Sequence, residues 1–65
     1  MKNEKAFAIF CGFRAALGLV DALSVRVNLN RNDDLIVVVP KRFAAAFRAY
    51  VRANGGFGGL LYRFY

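Results

Sequence analysis

The chain has no histidine, tryptophan, threonine or glutamine, and only one serine (Ser24), one proline (Pro40) and one cysteine (Cys11). Without an imidazole there is no ordinary base to pair with a nucleophile, so nucleophilic and general-base catalysis lack their usual parts. A single cysteine forbids an internal disulfide and suits a reducing compartment, so a cytoplasmic location is expected. Set in the apolar run AFAIFCGF, Cys11 reads as a small buried hydrophobe. Acids are scarce too: Glu4, Asp21, Asp33 and Asp34 are the full set. Two carboxylates in a polar stretch are turn chemistry rather than a metal or acid–base pair. The expectation is a protein that is not an enzyme, with no cofactor, no metal and no small-molecule substrate.

Long apolar runs are missing as well. A membrane span needs about 20 apolar residues. The longest uncharged stretches are the glycine-rich residues 53–62 and residues 6–13. Arg14 interrupts the one region resembling the apolar core of a secretory leader, so a leader is not expected.

What is present is a basic, apolar chain of 65 residues, 58% hydrophobic, with a net charge of +6. That length allows a single domain, residues 1–65. So small a domain covers its apolar side chains incompletely, which makes a homodimer or a partner interface plausible on composition alone.

Three punctuation points organise the chain. The polar cluster Asn30-Arg31-Asn32-Asp33-Asp34 separates the alternating run Ser24 to Leu29 from the β-branched run Leu35 to Val39, which predicts a hairpin. Pro40 opens a helix that should run to Asn54-Gly55-Gly56, where a glycine takes the left-handed position past the helix end. The glycine run then enters a last aromatic strand, Leu60 to Tyr65. It leaves a helix instead of opening one, so it is a hinge and not a phosphate loop.

The first third reads two ways. As one helix from Glu4 to Leu23 it sets Ile9, Phe10, Phe13, Leu17 and Val20 on one stripe. As a strand over 6–11 followed by a helix, it matches the second half: a shift of 30 residues lays Phe13, Ala15, Ala16 and Leu17 on Phe43, Ala45, Ala46 and Phe47. That internal match predicts an α+β, ferredoxin-like β-α-β-β-α-β fold, a four-stranded antiparallel sheet with two helices on one face. The alternative is α-β-β-α-β with one long N-terminal helix.

Charge is localised. Lys41, Arg42, Arg48, Arg52 and Arg63 lie in residues 40–65 with no acid, so +5 of the net +6 belongs to that segment. In the second main helix Phe43, Phe47, Tyr50 and Asn54 fall within about 60° of arc, and Lys41, Arg48 and Arg52 within about 40° on the other side. Arginine forks suit phosphate or carboxylate partners, although a solvated basic face is the usual meaning of such a stripe. Alternation in the last strand separates Tyr62 and Phe64 from Arg63 and Tyr65, and brings Arg26 and Asn28 to the open sheet face. Phe57, Tyr62 and Tyr65 are the candidate aromatic contacts.

These features predict a small basic binding module that docks on an acidic protein surface or on nucleic acid. Size and the lack of any motif place it with stoichiometric inhibitors or regulators encoded by phages, of the anti-CRISPR kind, acting in the host cytoplasm. The alternative is an RNA- or DNA-binding protein using the basic second helix. A peripheral membrane peptide is a lesser alternative, since the hairpin needs Phe43 and Phe47 for its core.

Overall fold

In a computed structural model, which describes residues 3–56 and 59–65, the chain is an α+β domain with three α-helices and a three-stranded mixed sheet. Helix α1 (Glu4–Leu17) and the short α2 (Leu19–Ala22) precede strands β1 (Arg26–Leu29) and β2 (Leu35–Val39). A 3₁₀ turn (Lys41–Phe43) leads into α3 (Ala44–Ala53), and β3 (Leu61–Phe64) closes the fold. The sheet order is β1-β2-β3, with β1 antiparallel and β3 parallel to the central β2.

Residues 6–11 are therefore helix and not strand, which corrects the ferredoxin-like expectation. The cause lies in the side chains. The segment Glu4–Leu17 holds four alanines and one β-branched residue, Ile9, a composition that favours helix. Helical spacing turns Ile9, Phe10 and Phe13 inward as one buried face. The alanine match between the two halves reflects two helices, without a shared strand before each.

Losing that strand also changes the sheet. In the split β-α-β-β-α-β arrangement the first strand lies between the third and the last. Here the last strand stands directly beside the central one. The α3 crossover makes those two parallel, since a parallel pair needs a connection of that length. An antiparallel four-stranded sheet becomes a mixed three-stranded one.

The core is a single cluster of Ile9, Phe10, Phe13, Val25, Val37, Val39 and Phe47. Phe47 is fully buried and meets three other rings: Phe13 edge-on at 5.1 Å, Tyr62 at 5.4 Å and Phe64 at 6.2 Å. It joins both long helices to β3. Gly12 lets α1 approach α3, because a Cβ there would overlap the Tyr50 hydroxyl. Cys11, by contrast, is exposed on the outer side of α1, so the expectation of burial does not hold. Ile9, Phe10 and Phe13 already fill the inward stripe, and position 11 points away from it.

Turn chemistry follows the sequence closely. The Asn30 side-chain oxygen accepts from the backbone N–H groups of Asn32 (2.8 Å) and Asp34 (2.9 Å), and Asp33 takes the left-handed φ of 60°. Asn3, at the start of α1, spends its amide on this hairpin: it donates to the Asp33 carbonyl (2.8 Å) and accepts from the Leu35 N–H (2.9 Å). Helix α3 ends in a Schellman motif: Gly56 N–H donates to the Val51 carbonyl and Gly55 N–H to the Arg52 carbonyl, with Gly55 at φ 96°.

Two stability predictions result. Phe47→Ala should cost about 3–5 kcal/mol, a large share of what so small a domain has, and its thermal transition by circular dichroism should drop steeply or vanish. Asn30→Ala, which leaves two turn N–H groups without their shared acceptor, should cost about 1–2 kcal/mol in a denaturant titration.

Candidate interaction surface

Both long helices pack on one face of the sheet. Val37 and Val39 point into the core beneath them, and the opposite face of β2 carries Ile36 and Val38. Strand register then fixes what stands beside these two. Arg26, Val38 and Arg63 form one row across the three strands, and Asn28, Ile36 and Leu61 form the next. Alternation in the sequence had placed Arg26, Asn28, Arg63 and Tyr65 on this side, and the structure brings them there. It adds Ile36, Val38 and Leu61. Ile36 and Val38 were hidden because a strand that is β-branched on both faces reads as covered on both, while Leu61 simply shares the alternation of Arg63 and Tyr65.

Val38 is only 6% exposed although it lies on the face opposite the core cluster, and arginines stand on either side of it in register. Long aliphatic stems are well suited to shield such a position while their charged heads stay in water. With its amide oxygen turned toward β3, Asn28 accepts from the Arg63 guanidinium at 3.2 Å. The Tyr65 hydroxyl donates to the Ser24 carbonyl, tying the end of β3 across the sheet to the start of β1.

The helix side has the basic stripe that the sequence pattern predicts. Lys41, Arg42, Arg48 and Arg52 are all exposed, while Phe47 is buried and Phe43 and Tyr50 are half-buried. Arg42 lies over the Phe43 ring at 4.6 Å, and Arg48 over the Phe64 ring at 5.1 Å. Among the described residues, none of Lys41, Arg42, Arg48, Arg52 and Arg63 makes an ion pair. The four acids belong to α1, α2 and the β1–β2 turn. Charge is thus divided: acids with α1, α2 and the hairpin, uncompensated base with α3 and β3.

Between α3 and β3 lies an open groove of about 340 Å³, lined by Phe47, Arg48, Val51, Arg52, Gly56, Leu60 and Tyr62. Its floor is apolar and aromatic, and two arginines one helical turn apart stand on one side. Sequence reasoning placed Arg48, Arg52 and Tyr62 among the contacts and missed Val51 and Leu60, which acquire a surface role only when β3 docks beside α3. Of the other candidates, Tyr62 and Tyr65 are exposed and Phe57 lies outside the described residues.

A separate apolar knob was not anticipated. Leu19, Val20 and Leu23 are 91%, 83% and 71% exposed around α2. The turn at Gly18, with φ 89°, takes Val20 off the α1 stripe where one continuous helix would have buried it.

Among the described residues no group of histidine, cysteine or acid side chains is placed to hold a metal, and no helix is long and apolar enough to cross a membrane. No protein-family model, curated protein or solved structure matches the chain.

Arg48 and Arg52 are exposed and make no ion pair, so Arg48→Glu/Arg52→Glu should fold normally. Its melting temperature should fall only slightly, because the lost Arg48–Phe64 contact is an exposed cation–π pair worth under about 1 kcal/mol. Circular dichroism on heating checks this.

Proposed function

We propose that this protein is a small non-catalytic binding module that docks on an acidic protein surface through the basic side of α3 and β3 and the adjoining open sheet face. One observation carries the choice of a protein over a nucleic acid. The rings of Tyr62 and Phe64, which a single-strand binder would use for stacking, turn toward Phe47 on the helix side. Among the described residues the open face is left with Ile36 and Leu61 in the row beside that of Arg26, Val38 and Arg63, and with one ring, Tyr65, at its end. Aliphatic area framed by arginine suits a partner with acidic and apolar side chains. Base stacking asks for a row of rings.

The role of a stoichiometric inhibitor or regulator, of the phage anti-defence kind, is supported by the chain's size and its lack of catalytic groups. Such a protein acts by occupying a surface and needs only complementary shape and charge. The aromatic side of α3 is spent in the core, and that removes the apolar face a membrane-surface reading of this helix requires.

Fluorescence anisotropy against single- and double-stranded DNA and RNA tests the choice. The expected result is weak binding that physiological salt erases, since phosphate contacts alone are strongly salt-dependent. Tight binding that survives that salt and disappears in Arg48→Glu/Arg52→Glu would make nucleic acid the partner and overturn the proposal.

A further inference from the structure

Strand β3 is an edge strand, and its hydrogen-bonding pattern shows which backbone groups face outward. Tyr65 N–H donates to the Val39 carbonyl (3.0 Å), and the Tyr65 carbonyl accepts from Lys41 N–H (2.6 Å). In a parallel ladder, alternate residues turn both groups toward the same neighbour. Tyr65 and Arg63 therefore face β2. The N–H and C=O groups of Tyr62 and Phe64 point away from the sheet, and among the described residues no strand pairs with them.

This free edge runs through the middle of the basic surface. On the helix side the groove with Arg48 and Arg52 opens along it, floored by Val51, Leu60 and Tyr62. On the open side stands Arg63. Lys41 lies at its end, bonded to Tyr65 through the backbone. An unpaired edge is a template for another strand, and positive side chains decide which strand it accepts. A second copy of the chain pairing through β3 would set Arg63, Arg48 and Arg52 against their own counterparts, in a molecule already at +6. Like charges held that close repel. An acidic strand meets the opposite field.

We infer that the β3 edge is a strand-addition site for an extended acidic segment of a partner protein. The segment's backbone pairs with the outward groups of Tyr62 and Phe64, and its acidic side chains reach Arg48 and Arg52 above the edge or Arg63 below it. The inference rests on the acidic-protein reading and narrows the partner to an extended peptide segment.

The probe is a short alternating glutamate–valine peptide, fluorescein-labelled, beside the same peptide with alternate amides N-methylated and beside poly-glutamate. The N-methylated peptide keeps the charge and loses the ladder. Anisotropy should show saturable binding of the parent peptide, weakened about tenfold or more by N-methylation and likewise by Arg48→Glu/Arg52→Glu. In amide exchange followed by NMR, Tyr62 and Phe64 should exchange quickly in the free protein and become protected on binding. Equal binding of the N-methylated peptide, or Tyr62 and Phe64 amides that stay unprotected in the complex, overturns strand addition and leaves the acidic-protein reading standing. If neither acidic peptide nor poly-glutamate binds, both fall. Protection of those two amides that grows with protein concentration in the absence of peptide would assign the edge to a second copy and overturn the proposal.

Discussion

The Phe47 ring is the contact that ties β3 to α3, the elements that carry Arg48, Arg52 and Arg63, and both to the core. It sits fully buried between Phe13 of α1 and the Tyr62 and Phe64 rings of β3, so it joins both long helices and an edge strand with one side chain. A two-layer domain whose principal extents are 30 × 23 × 17 Å has no second core to fall back on. Strand β3 is short, and among the described residues its ladder bonds go only to β2. Packing against Phe47 is what keeps it beside α3, and that proximity turns five separate basic residues into one surface.

The same geometry explains why the basic residues are tolerated. Arg48 lies over Phe64 and Arg42 over Phe43, so their planar heads rest on rings and take the place of partners. Arg26 and Arg63 flank Val38 in register, a place where long aliphatic stems suit a cover. Each arginine keeps an uncompensated charge in water and still contributes to packing. That double use fits a chain with too few residues to separate core-making from contact-making side chains.

Much of this was legible in the sequence, and the exceptions have identifiable causes. The hairpin was clear because Asn30 and Asp33 carry the turn in their own side chains and backbone preferences. The end of α3 was clear because Gly55 is free to adopt a positive φ. Alternation alone sorted Tyr62 and Phe64 from Arg63 and Tyr65. Residues 6–11 were ambiguous because a short apolar run satisfies a buried strand and a buried helix equally well. Helix won through the alanines and through Phe13 and Leu17, which continue the Ile9–Phe10 stripe. Cys11 followed that outcome: on a helix its position faces outward.

By itself the sequence determined the hairpin, the helix after Pro40 and the last strand, the absence of histidine, and the concentration of positive charge in residues 40–65. Those properties depend on residue type and short-range spacing, which the chain states directly. Only the tertiary structure decided that β3 pairs parallel with β2, that no strand among the described residues takes its outer edge, and that Arg48, Arg52 and Arg63 gather around that edge. Strand partners are set by which elements compete for the central strand. Once the N-terminal segment became a helix, the place beside β2 was left for β3, whose edge the basic surface then surrounds.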